Sequence, residues 1–441
     1  MNGSAILRGV YGVLQRPFVR DVGILQLGAL CAAGIGFVAS VVLARTLGAD
    51  EYGTYALVVS LGTTIGLLRR LGQDQAATTR LSTALASDDP EGARRALSYF
   101  TAIGVWTAVA VIPLAILLAP WVTQALYADA DLGQLLRVYL VPVVWVVVPA
   151  TAGLALQCTR QIKVLAWLEN GSNALLAVAA IAAAIISAHA GAVLIGQLIA
   201  SIAIAASGAY AYSWLRARSS ILPTAGALAQ GIVTPDFPIW ADTRSGLAMA
   251  VDKNLATIYP LVPVLFLGAV ATTESVAQLR IALSYVAIPA LLLAPISRML
   301  MVKLPEVQAR TPERLRDFFR MVSLSGGLSS AGLTLPFVLA APWLIPSLYG
   351  GNYASSVPLV FILAVDSALL GFGLTAGPLF RTLNRTDLPI RVHVTVLLLG
   401  LPATYLVIQH EGAAAAAASY VGLMLAARIV TNALCWRLLT R

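Results

Sequence analysis

Apolar runs of about 18 or more residues recur along the whole chain, the length needed to cross a hydrocarbon core about 30 Å thick. A chain patterned in this way has lipid as its main solvent. Of the 441 residues, 59% are hydrophobic and 11% are charged, against roughly 25% charged in an ordinary soluble domain. The polar stretches between the runs are too short to hold a separate soluble domain. The fold class is therefore an all-α integral membrane protein of about twelve transmembrane helices. The spans read as 22–44, 53–72, 98–119, 135–156, 168–188, 192–214, 245–268, 276–297, 321–346, 357–379, 390–408 and 413–436. The first follows Arg8, Arg16 and Arg20 and has no small-residue cleavage site, so it is expected to stay as a signal anchor.

Orientation follows from the cations. Placing both termini and the even-numbered loops on one side collects most of the 29 basic residues there, including Arg69, Arg70, Arg80, Arg94 and Arg95. The opposite loops hold one, Arg45. That asymmetry puts the basic end, with both termini, in the cytoplasm of a cell whose inner membrane the chain spans. The net charge of +9 is thus a topology signal reinforced by anionic lipids, and no nucleic-acid partner is needed. Cys31, Cys158 and Cys435 are odd in number and no disulfide is expected. His189, His393 and His410 lie far apart without ligand spacing, so neither a metal site nor another cofactor is expected.

Sliding the chain on itself so that Asp89-Pro90-Glu91 falls on Thr311-Pro312-Glu313 aligns several rare residues without a gap. Arg94 meets Arg316, Ala119-Pro120-Trp121 meets Ala341-Pro342-Trp343, Leu126-Tyr127 meets Leu348-Tyr349, and Trp214 meets Trp436. Six spans per half is an even number, so the halves are parallel lobes related by an axis along the membrane normal. The division expected is a segment 1–21, an N-lobe 22–218, a cytoplasmic linker 219–243 and a C-lobe 244–437 around a central cavity. Asp89 and Thr311 are expected to cap short cytoplasmic helices, and Pro120 and Pro342 to end their spans, with the tryptophans in the interfacial belt.

The stretch Leu43-Ala44-Arg45-Thr46-Leu47-Gly48-Ala49-Asp50-Glu51-Tyr52-Gly53-Thr54-Tyr55-Ala56 resembles the opening pattern of Wzx-type polysaccharide flippases. These belong to the multidrug/oligosaccharidyl-lipid/polysaccharide exporter (MOP) superfamily. Val251-Asp252-Lys253-Asn254-Leu255 and Ala294-Pro295-Ile296-Ser297-Arg298 are also similar to that group. Residues 256–273 depart from it, being richer in proline and without a glycine after Leu255. The resemblance implies a MATE-like fold and, as function, outward movement of a polyprenyl-diphosphate-linked oligosaccharide for polysaccharide or lipopolysaccharide biosynthesis.

Charges inside the spans point the same way on physical grounds. Centring a charge costs on the order of 3 kcal/mol, so such residues face a cavity or one another. Arg244, Lys253 and Arg428 lie toward the basic end and Arg137 and Arg280 toward the other, two levels at which a diphosphate can be held. Snorkelling is the competing reading for Arg137 and Arg244, which sit near span ends. Asp252 and Lys253 point about 100° apart on a helix and cannot pair with each other. Asp366, in mid-span, must be paired or protonated, and with Asp252 is a candidate for coupling to H+ or Na+. Pro260 and Pro263 break the ladder of span seven and are gating candidates. Glu169, Asn170 and Asn173 suit either sugar contacts or interhelical hydrogen bonds.

Two other functions compete. A MATE-like ion-coupled multidrug antiporter would favour acids and aromatics in its cavity, whereas here intramembrane cations outnumber acids. An integral-membrane glycosyltransferase or ligase would need carboxylates on a sizeable loop, and no phosphate loop, nucleophile elbow or zinc motif is present. The expectation is a non-enzyme that works as a monomer among membrane lipids.

Overall fold

The computed structural model describes residues 17–69, 72–237, 254–255, 257–383, 385 and 387–440. Among these the elements are helices joined by short turns. In the first half they are α1 (Pro17–Leu68), α2 (Gln73–Ala86), α3 (Pro90–Tyr127), α4 (Asp131–Leu140), α5 (Val147–Cys158), α6 (Ile162–Ile186), α7 (Ala190–Arg216) and α8 (Ala225–Val233). The second half has α9 (Leu261–Val270), α10 (Thr273–Arg310), α11 (Leu315–Tyr349), α12 (Ser356–Leu369), α13 (Ala376–Thr382) and α14 (Asp387–Leu439).

Two of these helices are hairpins. Unbroken, the 52 residues of α1 and the 53 of α14 would reach about 80 Å, more than twice the hydrocarbon thickness. Each has one residue outside helical geometry, Gly48 at φ 76°, ψ 175° and Gly412 at φ 63°, ψ −133°. A side chain at such a positive φ would be strained, which is why glycine makes the turn. Gly36, Ala39, Ser40 and Leu43 face one cavity with Tyr52, Tyr55, Ala56 and Val59, so α1 doubles back on itself. Gly400 packs against Leu423 in α14 in the same way.

Among the described residues eight helices are long and apolar enough to span a bilayer, and α4 with α5, bent by 41°, adds a ninth. Counting α1 and α14 as two transits each, and α9 as the end of span seven, recovers the twelve-span layout. Tyr127 and Tyr349, aligned by the internal repeat, each end their helix. Trp214 and Trp436 each carry a guanidinium over the ring, but from arginines the repeat does not align, Arg218 at 4.0 Å and Arg316 at 4.9 Å.

Three local expectations are corrected. Asp89 does cap a helix, accepting from Glu91 N at 3.1 Å and Gly92 N at 3.0 Å, but that helix is α3 itself and not a separate short one. Thr311 closes α10, and one 3-10 turn, Pro312–Arg314, leads into α11. Pro120 and Pro342 do not end their helices, which run on to Tyr127 and Tyr349. Pro120 has no N–H for the carbonyl of Ile116, and Arg137 Nε supplies the missing donor at 2.8 Å. Trp121 and Trp343 stand 80% and 71% exposed, as lipid-facing interfacial residues do.

The stretch after α7 is docked on the first half. Trp106 Nε1 donates to Ile232 O at 3.2 Å, Tyr212 OH to Pro223 O at 2.9 Å, and Arg94 pairs with Asp236 at 3.0 Å. The largest buried cluster joins both halves at the charge-poor end, packing Leu43, Tyr52 and Leu57 with Tyr285, Ile345 and Tyr353.

Candidate functional site

Three cavities run through the interior between the helices. The largest, about 750 Å³, lies in the second half and reaches the basic end at Gln75, Arg381 and Pro389. A second, about 430 Å³, lies between α1, the α4–α5 bend and α7 in the first half. The third, about 260 Å³, lies nearer the charge-poor end and is lined by Arg280. Thr257 borders the first two, and Tyr55, Val59 and Gln197 border the last two, so they adjoin as one path.

Arg428 lines the large cavity and is held by Asp366. Its Nη2 lies 2.8 Å from the carboxylate, and its Nη1 donates to the Asp366 backbone carbonyl at 2.9 Å. That carbonyl is free for a local reason. The next turn, Leu370–Gly373, is 3-10 helix, and Leu370 N–H bonds Ser367 O, one residue short of the α-helical partner. The turn is seated by α11. Gly326 and Gly327 admit Gly371 and the Phe372 ring, Ser330 Oγ donates to Ala368 O at 2.6 Å and accepts from Gly371 N at 3.0 Å, and Ser323 bonds Thr375 at 2.7 Å. Asp366 and Arg428, read separately from the sequence, are thus one ion pair.

Arg280 is different. It is half-buried on the cavity wall beside Tyr52 and Tyr55, and among the described residues no carboxylate lies at ion-pairing distance. Arg137 turns away, to Ile116 O and to Gln134 Oε1 at 2.9 Å, and lines none of the three cavities. The sequence reading of Arg137 as a cavity cation is therefore corrected: it completes the backbone bonding of α3. Arg244, Asp252 and Lys253 lie outside the described residues. Pro260 caps α9 and Pro263 falls in its first turn, so span seven is broken at the expected place. Just before the break, Tyr259 is fully buried and its hydroxyl meets His393 Nδ1 at 2.9 Å. Glu169, Asn170 and Asn173 line none of the three cavities.

Sequence reasoning missed Arg381, His393 and Gln75 as wall residues of the large cavity. Arg381 was counted with a loop, and nothing in the spacing of His393 signals Tyr259.

The charge-poor end is sealed. Arg45 Nε donates to Leu348 O at 2.6 Å and its Nη2 to Ser347 O, two of the carbonyls that α11 leaves without helical partners. Tyr353 OH donates to Ala44 O at 2.8 Å, Ser40 meets Tyr349 at 3.1 Å, and Thr273 donates to Asp50. Gly53 lies against the Thr273 carbonyl, where a Cβ would collide. Glu51 accepts from Ala190 N at 2.7 Å, fixing the start of α7. The stretch 43–56 is therefore the hairpin turn and the seal together.

An all-α bundle of paired halves, open at one end and sealed at the other, is the fold of MOP-superfamily transporters. The structure is similar to the inward-facing conformation of a multidrug resistance MATE family transporter of that superfamily, with TM-score 0.76 and 14% identity over 92% of this chain and 94% of that one. The outward-facing conformation of such a transporter gives TM-score 0.65 at 13% identity, with 95% of each chain covered. Lipid II flippase MurJ, in an inward closed conformation, gives TM-score 0.70 at 14% identity over 92% of this chain and 86% of that one. Among curated proteins none matches significantly. The chain belongs to the family described as polysaccharide biosynthesis protein, whose model matches residues 18–302.

Proposed function

We propose that the chain is a flippase that moves a polyprenyl-diphosphate-linked oligosaccharide from the inner to the outer leaflet of the cytoplasmic membrane. The observation that carries this reading is Arg280, a cation on the cavity wall with no carboxylate at pairing distance among the described residues. An unpaired intramembrane cation is costly, and a diphosphate oxygen is the partner that relieves the cost. The cation distribution supports a basic end that faces the cytoplasm, so that the cavity loads from the inner leaflet. Arg428 and Arg381 at the wide mouth receive the headgroup, and Arg280 holds it deeper. The lobes 22–218 and 244–437 then rock about the 219–243 segment until the seal at Arg45 opens. The membrane potential, negative inside, favours outward movement of each negative charge by about 2.3 kcal/mol per 100 mV.

A drug antiporter is disfavoured, because the mid-span acid Asp366 is already neutralised by Arg428. For the same reason Asp366 is the weaker of the two candidates for coupling to H+ or Na+, with Asp252 the other. The test is transport in proteoliposomes. Arg280→Gln is expected to lower translocation of the diphosphate-linked glycan at least tenfold, and an unchanged rate sinks the assignment of Arg280.

A further inference from the structure

Arg280, Arg381 and Arg428 lie in the other two cavities, and the first-half cavity has another character. Its wall is mostly aliphatic, broken by the rings of Tyr55, Tyr139 and Trp145, a few hydroxyls and the Gln197 amide, with Arg69 also on it. Trp145 is there because of a break in the span. Pro142 lies in the 3-10 turn Val141–Val144, the helix restarts at Val147, and the two intervening residues, Trp145 and Val146, are placed on the wall. Its indole Nε1 is buried, and among the described residues it has no hydrogen-bond acceptor. A buried N–H without a partner costs about 1–3 kcal/mol, which a ligand oxygen recovers. On the same cavity wall, Gln197 Nε2 donates to Tyr55 OH at 3.0 Å, and Tyr139 is seated in the space left by Gly62, its hydroxyl 3.4 Å from Thr63.

We infer that the first-half cavity is a sugar subsite, in which Trp145 and Gln197 hold the first sugars of the lipid-linked glycan while the arginines hold its diphosphate. This rests on the flippase reading and deepens it. The chemistry selects the occupant. A diphosphate needs cations, an organic cation needs acids, and an acyl chain leaves the buried Trp145 N–H without an acceptor. A pyranose offers an apolar C–H face to an aromatic ring and hydroxyl oxygens to an indole N–H and an amide. At about 430 Å³ the space is within the range of ligand pockets, and it adjoins both arginine-bearing cavities through Thr257 and Tyr55.

The test compares binding of undecaprenyl diphosphate with that of undecaprenyl-diphosphate carriers bearing one glucose, galactose or N-acetylglucosamine, using the full chain in nanodiscs. The wild-type protein is expected to bind at least one sugar-bearing carrier about tenfold more tightly than the bare lipid. Trp145→Leu should erase that margin and leave the bare lipid's affinity unchanged. Trp145→Phe, which keeps the ring and removes the N–H, should erase part of it, and Gln197→Ala should also narrow it. Arg280→Gln should weaken all the lipids together. If the wild type binds every lipid equally, or if Trp145→Leu and Trp145→Phe weaken the bare lipid as much as the sugar-bearing ones, the subsite is overturned and the flippase reading stands. If no lipid binds, the flippase reading itself fails and the subsite with it.

Discussion

Arg428 grips Asp366 at two places, its Nη2 2.8 Å from the carboxylate and its Nη1 2.9 Å from the same residue's backbone carbonyl. The second bond exists only because α12 tightens into a 3-10 turn and leaves that carbonyl unused. The pair is thus built on a break in span ten.

Removing one member leaves the other charged and buried. Arg428→Leu or Asp366→Leu is expected to cost about 3–5 kcal/mol, whereas the double replacement should cost clearly less than either. Thermal unfolding in one detergent, compared across the three variants, reads this. A double variant less stable than both singles would mean that the pair itself, not the relief of an orphaned charge, stabilises the break.

Arg45 closes the charge-poor end through Ser347 and Leu348. Arg45→Ala should shift the population toward the state open at that end. With Ser40→Cys as reporter, labelling by an impermeant maleimide from the charge-poor side is expected to rise several-fold. An unchanged labelling rate would assign the seal to the contacts that do not involve Arg45, among them Tyr353 with Ala44 and Thr273 with Asp50.

Arg137 is predicted to matter for stability and not for transport. Replacing it with Ala leaves the Ile116 carbonyl bare, at about 1–3 kcal/mol. Pro120→Ala restores the helical N–H for that carbonyl, so the Arg137→Ala penalty should shrink in the Pro120→Ala background. Equal penalties in the two backgrounds would reject this account.

The docked segment after α7 should loosen in acid. A hydrogen bond from Arg94 holds the Glu91 carboxyl below its ordinary value, and Arg95 adds to the effect. A carboxylate whose pKa is lowered by folding contributes at neutral pH, and the contribution fades as pH falls through the lowered value. Glu91 helps to hold Arg94 where it meets Asp236, so protease cleavage near residue 236 is expected to quicken as pH falls through that lowered value, and at high salt. Glu91 is largely solvated, so the change should be modest.

The twelve transits, their parallel halves and the lone cation of the charge-poor loops were legible because span length, loop charge and rare repeated residues are all local. The twinned proline–tryptophan pairs were legible as interfacial but misread as helix ends, since the donor that rescues Ile116 O comes from Arg137 in the next span. The Arg428–Asp366 pair joins residues 62 apart, and its second bond depends on a 3-10 turn that no hydrophobic period announces. Trp145 reads as one more apolar residue of span four until the bend turns it inward. Arg45 was visible as an exception to the charge rule, yet its partners are carbonyls, which every residue has.

The seal also sets an order of events during synthesis. Arg45 and its acceptor Leu348 are separated by 303 residues. At about 5–20 residues per second, the first hairpin waits roughly 15–60 seconds in the membrane before its partner helix is made. Through that interval a guanidinium on the far side must be satisfied by water or lipid headgroups. Truncated chains that stop short of α11 are therefore left with the far side unlatched, and the assembly of the second half, not the insertion of the first, completes the barrier.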